Sequence, residues 1–355
     1  MANLFKTIAC SFTRYSCVTF MFLKFLFAFL VMSPFLSIAQ LSVEESELMA
    51  RMTPKNTIPT ELISTRSVVV YQNTFTAKEL QEAHTFFQQT GIDAVAYFDI
   101  ARLLAGHESR KAYSANLLAR GIKYLILFQK IEKGYRFIFC PFNGKPDFVE
   151  NNSLVWQQEN ASLNELLKTV YRFAVSNLKK TNFLINDLPE TDLTVNVFKG
   201  RINQNFSPLV KTFKTAIPRF GNAAADAELE AYLKENFPVK YEFVDPQIDE
   251  AALAAKGFRT ILRYVHTRGL LAQEILGFDM TQQARSLPSA IVVNNEIQIK
   301  TILAEQPVYK FFFKNLDYGD LFLGNKWDAD TTWQDALRNH IEALKLNQQI
   351  GLGNK

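Results

Sequence analysis

The chain has 355 residues, 48% hydrophobic and 21% charged, with a formal net charge of +4 and a pI near 8.8. That length leaves room for two domains of ordinary size, and 14 Gly and 12 Pro are too few for a fibrous or disordered chain. Three cysteines exclude a disulfide framework, and no Cys/His spacing matches a zinc site.

Residues 1–39 hold no Asp or Glu. Lys6, Arg14 and Lys24 precede the apolar run Phe25-Leu26-Phe27-Ala28-Phe29-Leu30-Val31-Met32, and the small residues Ser37 and Ala39 stand just before Gln40. A positive flank, a short apolar stretch and small residues at the cleavage point predict a secretory signal peptide over 1–39, with Met21 as an alternative start. The apolar run is shorter than the roughly 20 residues of a spanning helix, so no stable membrane span is expected after cleavage. The leader holds three of the 39 basic residues, which leaves 36 basic against 35 acidic from Gln40 onward. The high pI therefore gives no argument for a nucleic-acid or membrane-surface partner. Cys140 is then the only cysteine left, and its strand-like setting predicts a buried thiol.

Residues 40–64, with Pro54 and Pro59, are expected to form an extended lead-in. A β-branched strand follows over 67–71, then an amphipathic helix over 78–90 with Thr76 as N-cap and Gly91 at its end. A strand is expected over 94–98, a helical stretch over 100–118 broken near Gly106, and a strand over 123–128. A Lys133-Gly134 turn leads into a strand over 135–140, and a helix over 163–178 closes a unit spanning 65–178. Residues 179–236 form a polar connector with an Ala-rich helix at 223–236. The unit at 237–348 is predicted to contain strands over 239–244, 258–265, 297–304 and 308–314. Its helices fall over 250–256, 269–277 and 333–346, and 349–355 form a disordered tail.

The two units share words. Tyr97-Phe98 with Leu103-Leu104-Ala105 aligns on Tyr264-Val265 with Leu270-Leu271-Ala272. Tyr135-Arg136-Phe137-Ile138-Phe139 aligns on Tyr309-Lys310-Phe311-Phe312-Phe313, and Trp156 falls opposite Trp327. All three matches are offset by about 170 residues, as an internal duplication would leave them. The expected fold is thus α/β: two similar mixed-sheet units, each β-α-β-α-β-β-α.

No Walker loop, dinucleotide turn, G-x-S-x-G elbow, H-E-x-x-H or S-x-x-K occurs, and no motif implies a cofactor. Asp328-Ala329-Asp330-Thr331-Thr332 matches a D-x-D-x-[TV] phosphatase word and offers Asp328 and Asp330 as an alternative metal pair. Its position near the chain end favours instead a helix N-terminus, with Thr332 and Asp335 as a capping box. Ligands of α/β sheets collect beyond the carboxyl ends of strands, which singles out two strand-to-helix junctions. One holds Asp99 and Arg102, with His107 and Arg110 close behind; the other holds His266, Thr267 and Arg268. Arginines there can clamp an anion, and His266 can move a proton near neutral pH. Solvated or ion-paired surface roles are the alternative for every one of them.

The leader ending Leu36-Ser37-Ile38-Ala39-Gln40 and the stretches Tyr264-Val265-His266-Thr267-Arg268-Gly269 and Phe322-Leu323-Gly324-Asn325-Lys326-Trp327 resemble an uncharacterised family of exported proteins of the Bacteroidetes. That resemblance implies periplasmic or surface location and carries over no catalytic residue. The expectation is an envelope protein that binds a small anionic ligand or another envelope protein without catalysis. The alternative is a hydrolase of a phosphorylated or anionic small molecule, with His266 as general base and neighbouring arginines holding the anion.

Overall fold

The computed structural model describes residues 42–177, 182, 184–280, 285–293 and 296–352, with side chains through Asn347. The expected leader and residues 353–355 lie outside the described residues. In the first half the elements are α1 (Val43–Ala50), β1 (Met52–Lys55), β2 (Arg66–Tyr71), α2 (Ala77–Thr90), β3 (Asp93–Asp99), α3 (Ile100–Leu103), α4 (His107–Ala119), β4 (Ile122–Ile131), β5 (Gly134–Pro141), β6 (Ser153–Asn160) and α5 (Leu163–Asn177). The second half begins with β7 (Ile202–Asn203), α6 (Leu209–Thr212), β8 (Thr215–Pro218), α7 (Ala223–Asn236), β9 (Tyr241–Val244) and α8 (Glu250–Ala255). It continues with β10 (Thr260–Arg268), α9 (Gly269–Ile275), β11 (Ser286–Val293), β12 (Glu296–Leu303), β13 (Pro307–Asn315), β14 (Leu321–Phe322) and α10 (Trp333–Leu352).

Two six-stranded mixed sheets result, ordered β1-β6-β5-β4-β2-β3 and β7-β14-β13-β10-β8-β9. The two orders are the same when β1 to β6 are read as β7, β8, β9, β10, β13 and β14. Directions match as well: the outer pairs are parallel, the β4/β5/β6 and β10/β13/β14 steps antiparallel, and the remaining steps parallel. The second half differs by one insertion, the separate β11-β12 hairpin between β10 and β13.

The central strands are buried on both faces, and their period of two splits the first core in half. Val69, Ile126, Phe128, Phe137 and Phe139 pack against α2 and α5. Their neighbours Val68, Val70, Leu125, Leu127 and Ile138 pack against α3 and α4. The second sheet repeats this division, with Phe311 and Phe313 facing α7 and α10, and Phe312 and Val308 facing α9 and the inserted hairpin. Each fully buried Phe contributes about 1.5–3 kcal/mol relative to exposure. Cys140 is fully buried in the first half, where burial pushes its thiol up to about 12.

Local signals place the helices. Thr76 and Glu79 form a reciprocal capping box at the start of α2, and Gly91 ends it in the left-handed region. The β4/β5 turn is residues 132–133, one position before the expected Lys133-Gly134, and Gly134 opens β5 at φ +134°, where a Cβ would meet the Asn160 backbone.

Three expectations need correction. The lead-in 40–64 is not extended: Ser42 caps α1, and β1 joins the first sheet beside β6. The connector 179–236 supplies β7 and β8 to the second sheet, so the second unit begins well before residue 237. The tail is helical through Leu352 as the end of α10. Two of the matched words also lie at different sheet positions. Tyr97 is on β3 whereas Tyr264 is on β10, the counterpart of β4. Trp156 pairs with Phe139 just as Phe322, not Trp327, pairs with Phe313. The Tyr135 and Tyr309 words do fall on counterpart strands. Among the described residues no helix is long and apolar enough to cross a membrane.

Candidate functional site

The two strand-to-helix junctions singled out above meet across a seam between the halves. The segment 101–106 lies along β10: His266 N donates to Ala105 O at 3.1 Å, and Thr267 Oγ1 donates to Ala101 O at 3.3 Å. Arg102 forks onto Glu274 at 2.7 and 2.8 Å. Arg268 pairs with Asp99 and, at 3.0 Å, with Glu305. Deeper in the seam, Glu108 of α4 lies 2.7 Å from Lys314 and 3.4 Å from Arg263. Gly106 allows the approach, with φ +123° and no room for a Cβ, which would stand 2.7 Å from Tyr264 O. Asp99, Arg102, Thr267 and Arg268 are therefore committed to joining the halves.

His107, Arg110 and His266 instead line a cleft of about 920 Å³ between the two halves. That volume is within the range of small-molecule sites. One wall is aromatic: Trp333 stands 4.9 Å from Phe220, Phe220 5.7 Å from Tyr264, and Tyr264 5.7 Å from Tyr309 and 5.5 Å from Phe311, ring centre to ring centre. β10 and β13 place Tyr264 and Phe311 opposite each other in register, which fixes this wall on a rigid sheet. Charged lining comes from α1 (Glu44 and Glu47), from Arg51 just after it, and from α4 (His107 and Arg110).

His266 is held on two sides. Its Nδ1 is hydrogen-bonded to Glu44 of α1, and its ring stacks on Tyr309 at 3.8 Å with an interplanar angle of 6°. Burial raises the Glu44 carboxyl, but the hydrogen bond and charge of His266 outweigh it and hold the carboxyl below its usual range. Once His266 is neutral, the ionised Glu44 at Nδ1 keeps the imidazole proton there, and the Nε2 lone pair has no partner among the described residues.

Among the described residues the Arg110 guanidinium has no hydrogen bond and no ion pair, although Glu44 and Glu47 act on it electrostatically. The other cleft cations are engaged: Arg51 with Asp147 at 2.7 Å, Lys145 with Glu150 at 2.7 Å and Arg219 with Glu230 at 3.4 Å. Arg263 lies 3.4 Å from Glu108 and 3.7 Å from Glu250, yet its Nε and Nη2 make no well-oriented hydrogen bond. Burial and the nearby Arg263 charge lower His107 to about 3, so it is neutral at physiological pH. Among the described residues the hydroxyls of Tyr264 and Tyr309 have no partner; burial pushes Tyr264 up to about 12 and raises Tyr309 as well, so both remain donors.

Asp328 and Asp330 are not among the residues lining the cleft. Asp328 is fully buried, 2.6 Å from Lys310 and 2.9 Å from His340 Nδ1. Lys310 also donates to Leu323 O at 2.5 Å and Phe311 O at 2.9 Å. Burial disfavours the charged forms of Lys310 and His340, while the Lys310 charge keeps Asp328 ionised despite its own burial. Asp330 accepts from Lys300 at 2.6 Å and Thr331 N at 2.7 Å. Both carboxylates are engaged by cations or backbone amides, and among the described residues no group of three or more His, Cys, Asp or Glu is arranged to hold a metal ion. Of the expected capping box Thr332/Asp335, the Thr332 half is present: Asp335 N donates to Thr332 Oγ1 at 3.2 Å, and Thr332 Oγ1 donates to Asp335 Oδ2 at 2.9 Å.

Glu44 and Glu47 were not legible as site residues, because they sit on α1 in the segment expected to be extended. The cue was present in Ser42 followed by Glu44-Glu45, an N-cap with an acidic first turn. No family model, curated protein or solved structure matches this chain.

Proposed function

We propose that the chain is an exported envelope protein whose cleft between the two sheets binds a small monoanionic molecule carrying a flat apolar group. One observation carries this reading: Arg110 lines the cleft, half-buried, and its guanidinium has no hydrogen bond or ion pair among the described residues. A guanidinium in that state gains a bidentate bond when a carboxylate enters, without first breaking an internal pair. The aromatic wall from Trp333 to Tyr309 supplies the complementary surface for a ring. Charge balance favours one negative charge over two, since Glu44 and Glu47 line the same cleft as Arg110 and the remaining rim cations are engaged.

Thermal-shift measurement on the chain from Gln40 tests the reading with phenylpropanoate, benzyl alcohol and inorganic phosphate as probes. Phenylpropanoate is expected to raise the melting temperature by a few degrees at about 100 times Kd, where linkage supplies about 2.7 kcal/mol. The alcohol and phosphate are expected to have little effect, and Arg110→Met to abolish the shift. A shift of equal size in Arg110→Met removes the basis of the proposal.

A further inference from the structure

A binding cleft needs only Arg110 and the aromatic wall, and neither accounts for the histidine between them. His266 is oriented by Glu44 at Nδ1 and by the Tyr309 ring beneath it, while Nε2 has no partner among the described residues and the residue lines the cleft. A carboxylate holding one imidazole nitrogen so that the other takes a proton is the arrangement that general-base catalysis requires. Two further donors without partners among the described residues, the Tyr264 and Tyr309 hydroxyls, belong to residues lining the same cleft. Donors of that kind stabilise an oxygen that becomes negatively charged during reaction.

From this constellation we infer that the cleft hydrolyses carboxylic esters that bear a second, free carboxylate. The inference rests on the reading of the cleft as a monoanion site. Arg110 holds the free carboxylate, and the aromatic wall holds the apolar part of the ester. A water molecule gives a proton to His266 Nε2 as its oxygen bonds to the ester carbonyl carbon, and the carbonyl electron pair moves onto oxygen, where a tyrosine hydroxyl donates to it. The tetrahedral species collapses, the bond to the alcohol oxygen breaks, and the Nε2 proton passes to the departing alkoxide. The products are the acid and the alcohol, and His266 returns to its starting tautomer. No oxidant, metal or cofactor enters the balance. His266 is the catalytic residue, and Glu44 is a positioning residue that acts through it.

The test compares the nitrophenyl monoester of adipic acid, which is monoanionic, with neutral nitrophenyl acetate. Adipic acid monoanilide, with the same carboxylate on an amide, reports binding by thermal shift. The wild type is expected to hydrolyse the anionic ester with kcat/KM well above that for the neutral one. His266→Gln is expected to lower kcat by about 10²–10⁴-fold with KM little changed. Glu44→Gln should also lower kcat, Glu44→Asp should recover part of it, and Arg110→Met should act mainly on KM. If His266→Gln fails to fold, the Glu44 pair still separates catalysis from packing, because a structural role would not divide kcat from KM. Monoanilide binding without ester hydrolysis above the buffer rate overturns this inference and leaves the binding site standing. Loss of both overturns the reading of the cleft as well.

Discussion

Lys310→Met is the most informative single perturbation of the fold, because it removes the cation from a fully buried triad while nearly preserving its shape. Asp328 would keep only His340 at 2.9 Å, and the carbonyls of Leu323 and Phe311 would lose a donor at 2.5 and 2.9 Å. Breaking a buried ion pair by removing one partner costs about 3–5 kcal/mol, since the remaining charge is left without compensation. An unfolding entropy of about 2.1 cal/mol/K per residue over roughly 310 residues converts this into a melting-temperature fall of about 5–8 °C. Replacing both charges, as Lys310→Met with Asp328→Leu, removes the orphaned carboxylate and is expected to recover at least half of the loss. Urea and thermal unfolding followed by circular dichroism measure all three proteins. A Lys310→Met protein within about 1 kcal/mol of wild type, or a double variant no better than the single one, refutes the view that these groups compensate one another.

The seam gives further expectations. Gly106→Ala should cost about 2–3 kcal/mol in urea unfolding, because its backbone is in a glycine-only region and its Cβ would meet Tyr264 O. Gly121→Ala, at φ +71° with nothing within 4 Å of the added carbon, should cost only about 1 kcal/mol; equal losses would show that Tyr264 O is no obstacle. Arg268→Met strands Asp99 in the seam and should destabilise by about 1–3 kcal/mol, with Asp99→Asn in the same background restoring part of the loss. His107 links stability to pH. Its folded value is depressed from 6.5 to about 3, so between these limits the unfolded chain takes a proton that the folded chain refuses. The contribution is intact above pH 6.5 and is lost as pH falls toward 3, to the extent of about 2–3 kcal/mol once partial solvent access is allowed for. His107→Gln should flatten that acid limb in urea titrations at stepped pH, and an unchanged slope would show that other groups carry it.

Long periodic segments and caps were readable from sequence because the signal and the structure are local. The α2 capping box, the β4/β5 turn and the alternating Phe137/Phe139 and Phe311/Phe313 strands all rest on residues within a few positions of one another. The missed pieces depend on partners far along the chain. β7 and β14 are two residues each and exist only because they pair with each other and with β13. Glu44 and His266 are 222 positions apart, and no periodicity relates them. The mismatched Tyr97 and Tyr264 words share a different property: both stand near strand ends that run directly into a short helix, α3 or α9. They reflect the same local chemistry at different places in the sheet order. His107, Arg110 and His266 were named from the same junctions as Asp99 and Arg268, but only the seam geometry separates the residues that bind the halves together from those that face the cleft.

The inserted β11-β12 hairpin has a kinetic consequence. In the first half β4 and β5 are joined through residues 132–133, so the centre of that sheet forms from neighbours in sequence. In the second half β10 and β13 pair across the whole of residues 269–306. Loop closure costs about 0.6 kcal/mol for each doubling of length, which puts the second pairing on the order of 2–3 kcal/mol behind the first. The first half is thus the natural nucleus, and the second assembles on it late. Since the aromatic wall is made by β10 and β13, the cleft is among the last features to appear during folding.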